Sequence, residues 1–254
     1  MAWNPDTYNR FKSERFTPFY DLLALAKSKP EMEVIDLGCG TGELTRKLAD
    51  ALPGARVTGI DSSEQMLSQS QDFVSKQVIF KQLSIERFLE SDKKWDLVFS
   101  NAAIQWVDDH ETVFPKIISS LKENGQLLIQ MPDQHHNVSN RLLDELAEKE
   151  PFREVLKGWK RVSPVLDIDR YSQILFENGS KSMTVFEKIY PLVLSDADAL
   201  FDWVSGTALI PYSERLESKI KQDFIDLYRK FLQNKFAKSP VFYPFRRIIL
   251  EANF

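Results

Sequence analysis

An apolar run, Val34-Ile35, ends in an acid, Asp36, and is followed by a glycine at every second position: Gly38, Gly40 and Gly42. Glycines at these positions allow positive φ and leave main chain open to a ligand. The stretch Glu43-Leu44-Thr45-Arg46-Lys47-Leu48 then has helical spacing, so its first-turn N–H groups point at that ligand. A second apolar run, Val57-Thr58-Gly59-Ile60, ends in Asp61. At the end of a parallel strand its carboxylate reaches the same crevice and accepts hydrogen bonds from a ribose diol.

The spacing narrows the cofactor. The dinucleotide fingerprint is G-x-G-x-x-G and this chain reads G-x-G-x-G, which disfavours NAD. A phosphate-binding P-loop needs Lys-Ser or Lys-Thr after its last glycine, whereas Gly42 is followed by Glu43, whose charge repels a triphosphate. Asp36, on the strand before the glycines, suits a ligand with a cationic end such as the ammonium of S-adenosylmethionine. The alternative is a glycine-rich strand-to-helix turn with no ligand. Cys39 is the only cysteine. No internal disulfide is therefore available, and its place between two glycines reads as a small packed side chain rather than a nucleophile. The three histidines, His110, His135 and His136, lack zinc-ligand spacing, and no metal is expected.

These residues need a scaffold, and 254 residues suffice for one α/β domain with insertions. Net charge is −4 with dispersed Lys and Arg, so a small-molecule partner is expected rather than nucleic acid. The N-terminus lacks a signal pattern and no apolar run approaches the roughly twenty residues of a membrane span, so no membrane partner and a cytoplasmic location are expected. Nothing in the sequence fixes an oligomeric state. Strands are expected at 32–37, 55–61, 77–82, 95–100 and 125–131, with helices at 42–52, 63–74 and 109–122, the last closed by Asn124-Gly125. An amphipathic helix is expected over Phe16–Lys29 before them. After Pro132 the alternation stops, with helices at 138–149, 151–158, 168–177, 196–207 and 213–236 and strands at 183–194 and 242–252. A single domain follows, with a cofactor-binding core over about 30–134 and a cap with closing strands over about 135–254.

Asp36-Leu37-Gly38-Cys39-Gly40-Thr41-Gly42, Gly59-Ile60-Asp61-Ser62-Ser63 with Met66-Leu67, and Trp95-Asp96-Leu97-Val98-Phe99-Ser100-Asn101 resemble the first, ribose and fourth-strand motifs of the small-molecule S-adenosylmethionine-dependent methyltransferases. The resemblance implies an α/β, Rossmann-like, seven-stranded, mostly parallel sheet with flanking helices and a helical cap. It also implies S-adenosylmethionine as cofactor, held by Asp36, Gly38, Gly40, Gly42, Asp61, Ser62, Met66, Ser84, Ile85 and Asn101. That family usually carries an acid for the adenine amino group after the third strand. Here Ser84 stands there, and its hydroxyl or the Ile85 N–H takes the acid's place.

A narrower set of segments resembles the family's trans-aconitate-methylating branch: Trp3-Asn4-Pro5 with Tyr8, Phe11 and Arg15; Asn101-Ala102-Ala103-Ile104-Gln105-Trp106; Gln130-Met131-Pro132-Asp133; Trp203-Val204-Ser205-Gly206-Thr207 with Pro211-Tyr212; and Tyr243-Pro244-Phe245-Arg246-Arg247. This implies esterification of a carboxylate on a small polycarboxylic acid, with Tyr8, Arg15, Trp106 and Tyr212 in the substrate site. Such a nucleophile is ionised at pH 7 and needs no general base, so no catalytic residue is assigned. Cations for the remaining carboxylates are offered by Arg15, Arg153, Arg161, Arg170, Arg246 and Arg247, with Tyr8, Tyr171 and Tyr212 as neutral donors. Two alternatives stay open: a methyltransferase for another small or carrier-bound acceptor, and a non-catalytic cofactor-binding protein.

Overall fold

The computed structural model describes residues 12–254, the side chains of 12–15 and 218 excepted. Helix α1 is Lys12–Leu23, followed by β1 (Glu33–Leu37), α2 (Glu43–Ala51), β2 (Arg56–Asp61), the one-turn α3 (Glu64–Leu67), β3 (Val78–Gln82) and α4 (Ile85–Phe88). Next come β4 (Trp95–Asn101), α5 (His110–Ser119), β5 (Leu121–Pro132), α6 (Val138–Ala147), α7 (Phe152–Val155), α8 (Ile168–Glu177) and β6 (Ser182–Leu194). The chain ends with α9 (Ala197–Ser205), α10 (Ile210–Arg215), α11 (Ser218–Lys235) and β7 (Val241–Asn253). Among the described residues the strands form one seven-stranded sheet in the order β3-β2-β1-β4-β5-β7-β6. β1 to β5 pair in parallel and β7 runs antiparallel to β5.

The chain divides into two compact units. A sheet unit comprises Thr17–Pro132, Pro164–Lys188 and Arg247–Phe254; a helical unit is built on Asp133–Ser163 and Ile189–Arg246. The sheet unit takes in segments beyond residue 134, and the second half of β7 completes the ladder on β5, with Ile129 opposite Leu250. Strand periodicity accounts for the sheet unit's core. Ile35, Leu37, Ile60, Val98, Leu127, Ile129, Ile248 and Leu250 belong to one buried cluster. The alternating positions Val34, Val57, Leu97, Phe99, Leu128 and Ile249 belong to another. Both faces of the sheet are thus buried, which is why its strands read as nearly continuous apolar runs. The helical unit has its own cluster, including Leu143, Leu146, Phe152, Leu200, Trp203, Tyr212, Phe224, Tyr228 and Tyr243.

Four expected elements differ. The helix expected over 63–74 is α3 plus a separate 3₁₀ turn at Ser70–Phe73. The Ser68 and Ser70 hydroxyls donate back to the Gln65 and Leu67 carbonyls at 2.8 and 2.7 Å, offering the backbone an alternative to a continued helix. The helix expected to run to residue 122 stops at Ser119, and Asn124-Gly125 lies inside β5. Asn124 there adopts φ +60, and pairing jumps from Trp95–Leu121 to Leu97–Gln126, a bulge on β5. α1 ends at Leu23 rather than near Lys29, because buried Gln126 captures the following chain, accepting from Lys27 N–H and donating to the Leu25 carbonyl, both at 3.0 Å. The helix expected over 213–236 breaks at Leu216, extended and 2% exposed, whose side chain joins the core between α10 and α11.

Candidate active site

After β1 the chain turns through Gly38 (φ +77), Gly40 (φ +56) and Gly42 (φ +82) before α2 begins. The sequence suggested that all three glycines clear space for a ligand, and that needs correcting. A Cβ on Gly38 would lie 2.1 Å from the Ala103 Cβ, and one on Gly42 would lie 2.7 Å from the Phe80 ring and 2.9 Å from the Ser70 Cβ. Those two absent side chains make room for protein. A Cβ on Gly40 would lie 3.1 Å from the Met66 methyl, a contact that flexible side chain can relieve. Gly42 is the N-cap of α2 and makes no side-chain cap hydrogen bond, as a glycine must.

Two acids flank the turn. Asp36 is buried and accepts a 2.5 Å hydrogen bond from the Thr45 hydroxyl. Burial pushes its pKa up to about 7, the nearby Asp61 charge adding and the Thr45 hydrogen bond opposing. A buried carboxyl of this kind is stabilised as an anion when a cation joins it, which fits an ammonium group. Asp61 closes β2 and accepts from Gly40 N–H and Ser63 N–H, each at 2.9 Å. It therefore ties the glycine turn to the start of α3, and a carboxylate retains further acceptor capacity for a diol. Ser63 caps α3 by accepting from Met66 N–H at 3.2 Å. Ser62 is exposed, and its carbonyl accepts from Gln82 Nε2 at 3.4 Å. Burial drives the Cys39 thiol's pKa upward, helped by the charges of Asp36 and Asp61, so this sulfur stays protonated.

Ser84 is the N-cap of α4 and accepts from Arg87 N–H at 3.3 Å, while Ile85 behind it is buried. Asn101 closes β4. Its Oδ1 accepts from Gln130 Nε2 at 2.6 Å, and Gln130 Oε1 in turn accepts from Arg247 Nη1 at 2.6 Å. A 3₁₀ turn at Ile104–Trp106 follows, in which Gln105 donates to the Ala102 carbonyl at 2.7 Å and Trp106 is 44% exposed. Buried His110 holds this turn through Nε2, 3.0 Å from the Ile104 carbonyl. Its Nδ1 lies 2.5 Å from the Tyr171 hydroxyl, which accepts from Leu166 N–H at 3.0 Å. The set closes with Nε2–H donating to Ile104 and Nδ1 accepting from Tyr171. Desolvation lowers the pKa of His110, keeping that neutral form. Thr45, Ala103, His110 and Gln130 stood within segments the sequence singled out, but none was given a role there; their partners lie too far along the chain to read.

Of the substrate-site expectations, Tyr8 and the Arg15 side chain lie outside the described residues. The other expected residues of the sheet unit follow or close the carboxyl ends of the neighbouring parallel strands β1, β2, β3 and β4. Tyr212 is in the helical unit and 1% exposed, its ring stacked on Phe224 at 5.4 Å. Its hydroxyl donates to Asp144 Oδ1 at 2.9 Å and accepts from Arg161 N–H at 3.3 Å, so it serves the fold first. Arg170 is committed to Glu111 and Glu177, Arg247 is buried on Gln130, and Arg153 is exposed. Within the helical unit Arg161 and Tyr212 border a cavity of about 240 Å³ together with His135, Asn140, Asp144 and Lys160. Among the described residues no three His, Cys, Asp or Glu side chains gather as a metal site requires, and no helix is long and apolar enough to cross a membrane.

A methyltransferase domain family matches residues 28–179. The chain is 39% identical to a trans-aconitate 2-methyltransferase of Deinococcus radiodurans, over 99% of this chain and 98% of that protein. It is 34% identical to a trans-aconitate 2-methyltransferase of Variovorax paradoxus, over 91% and 88% of the two chains. Among solved structures, the YcgJ protein of Bacillus subtilis superposes with a TM-score of 0.62 at 14% identity, covering 93% of this chain and 97% of that one. Phosphoethanolamine N-methyltransferase 2 of Haemonchus contortus, solved with S-adenosyl-L-methionine, superposes at 0.56 with 19% identity, covering 93% of this chain and 51% of that one. These two share the fold. The glycine turn, its paired acids and a family match over more than half the chain agree: the protein belongs to the S-adenosylmethionine-dependent methyltransferases.

Proposed function

We propose that this enzyme esterifies a carboxylate of a small polycarboxylic acid of the trans-aconitate type. The observation that carries the reading is the end-to-end similarity to the Deinococcus trans-aconitate 2-methyltransferase. The cofactor, when bound, supplies an electrophilic methyl on a sulfonium. In this reading Asp36 holds its ammonium, the Gly38–Gly42 turn and the first turn of α2 hold its carboxylate, and Asp61 takes the ribose hydroxyls beside Ser62 and Met66. Ser84 and the Ile85 N–H face the adenine, and Asn101 and Trp106 border the reacting end.

Protein groups then need only place an already ionised oxygen, exclude water and neutralise the remaining carboxylates. This agrees with the side chains present. His110 has both ring nitrogens engaged and is no base for an acceptor proton, and the Cys39 thiol is held protonated. Incubation with methyl-labelled cofactor and trans-aconitate should yield an alkali-labile methyl ester. At saturating cofactor its rate should be flat from about pH 6 to 8, since the acceptor is ionised throughout. Base-stable label, or turnover on amines or phenols and on no di- or tricarboxylate, would reassign the acceptor.

A further inference from the structure

The cavity of about 240 Å³ in the helical unit plays no part in the cofactor assignment. Its volume lies below the roughly 300–1,000 Å³ of pockets for drug-sized ligands and suits a compact metabolite. Its charged wall is uneven: Lys160 and Arg161 contribute two cations against one acid, Asp144, with Asn140 and His135 as polar neighbours. Asp144 is already answered. Tyr212 donates to it at 2.9 Å, and burial, the leading influence, raises its pKa. Lys160 pairs with Glu148, but both partners are largely exposed, at 45% and 61%. A surface pair of that kind contributes little and exchanges readily for an incoming carboxylate. The Arg161 backbone is fixed by its N–H bond to the Tyr212 hydroxyl at 3.3 Å, which sets where the guanidinium starts. Tyr212 itself is clamped by Phe224 and by an edge contact from Trp159 at 5.3 Å, and the Arg215 guanidinium lies 3.8 Å over that Trp159 ring. A positively balanced, pre-positioned cavity of this size selects a small anion with several acceptor oxygens.

We propose that this cavity binds a carboxylate of the polycarboxylic acid, with Arg161 and Lys160 as its cationic contacts and Tyr212 as the residue that positions Arg161. The inference rests on the polycarboxylate reading above. It names a use for Tyr212 different from direct donation: the hydroxyl orders the wall instead of touching the ligand.

The test is calorimetric titration of tricarballylate and of glutarate, which lacks the central carboxylate, into the enzyme saturated with adenosylhomocysteine. Wild type should bind the tricarboxylate more tightly. R161M and K160M should each lose tenfold or more in tricarballylate affinity and narrow the gap between the two acids, while adenosylhomocysteine affinity stays at the wild-type value. R161K should recover part of the loss, and Y212F should behave as a weaker R161M. A variant that merely misfolds would lose adenosylhomocysteine binding too; for such a variant, the partially rescuing lysine carries the test. If wild type esterifies polycarboxylates while R161M and K160M bind both acids unchanged, the cavity assignment is wrong and the activity stands. If these variants lose tricarballylate binding but wild type esterifies no polycarboxylate, the activity is wrong and the cavity stands. Wild type that binds neither acid overturns the cavity assignment, and the activity is then decided by the labelled-ester assay alone.

Discussion

Asp36 should make cofactor binding depend on pH in a way that few other groups here can imitate. Its pKa is pushed up to about 7 from an ordinary 3.8, chiefly by burial. In the free protein it thus carries a proton through most of the window between those values. A carboxyl raised in this way favours the folded state at the low end of the window, and that contribution is lost as pH rises through about 7. If the bound ammonium holds Asp36 ionised, the apparent Kd scales as one plus the ratio of proton concentration to the acid constant. That ratio gives a Kd about fivefold weaker at pH 6 than at pH 7, close to 1 kcal/mol, with about half a proton released per cofactor bound at pH 7. The cofactor's own amine titrates near 7.7–8.0 and is charged throughout the range below 7, so this interval isolates the protein's carboxyl. Calorimetry in two buffers of different ionisation enthalpy reads both quantities. Asp36→Asn should abolish the proton release and flatten the profile. An unchanged proton count in Asp36→Asn, or wild-type affinity that improves steadily from pH 7 to 6, would refute the Asp36–ammonium contact.

Asp61 anchors Gly40 and Ser63 as well as facing the proposed ribose. Charge-assisted bonds are each worth about 1.5–3 kcal/mol, so Asp61→Ala should weaken cofactor binding on the order of tenfold to a hundredfold; wild-type affinity in a folded variant would leave it a structural role only. Gly38→Ala combines a φ of +77 with a Cβ 2.1 Å from that of Ala103. It should cost about 2–4 kcal/mol in denaturant unfolding, more than Gly179→Ala, where φ is +83 and nothing lies within 4 Å, at about 1 kcal/mol. Similar losses at the two sites would mean the Ala103 contact relaxes freely. His110 has a pKa lowered from 6.5 by desolvation. Its neutral form therefore stabilises the fold fully above about pH 6.5, and that contribution falls away as acid protonates the unfolded chain first. His110→Gln should lessen the decline in thermal stability between pH 7 and 5; an identical decline would remove His110 as its source.

The backbone around the proposed cofactor site was legible because its residues lie in short segments whose geometry is local. Gly38 to Gly42 dictate a turn, Asp61 ends a strand, and Ser63 caps a helix, each decided by neighbours within a few positions. What the glycines make room for was not legible, since Ala103 and Phe80 reach them only through the β1–β4 and β2–β3 pairings. The same limit hid His110, whose bond to Tyr171 spans 61 residues, and Gln126, which stops α1 from a bulge 101 residues away. Helix ends were misread wherever a side chain competes with the backbone, as at Ser68 and Ser70, because periodicity reports the apolar face and not the alternative hydrogen bond. Tyr212 falls under the same limit. The resemblance implied a substrate-site residue, and the hydrogen bonds of its hydroxyl to Asp144 and from Arg161 N–H are contacts its type alone did not show.

The arginines sort themselves by what already occupies them. Arg247 lies 5% exposed midway along β7, opposite Pro132 at the end of β5, and its Nη1 fixes the Oε1 of Gln130. With its oxygen committed, Gln130 turns its amide nitrogen toward the oxygen of Asn101. Asn101 is left with its NH₂ as donor at the carboxyl end of β4, so a buried cation within the sheet sets a donor at the edge of the proposed cofactor crevice. An arginine doing this cannot also reach out to a substrate. Arg170 is similarly held by two glutamates, with Glu111 bonded to more than one of its nitrogens. In the proposed function, recognition of a multiply charged acid falls to cations whose partners are weak or exchangeable. Lys160, on an exposed glutamate, meets that condition beside Arg161. In the proposed reading, transfer and recognition make different demands: the first needs no proton removed from the acceptor, and the second depends on cations whose existing partners can exchange, as the exposed glutamate on Lys160 can.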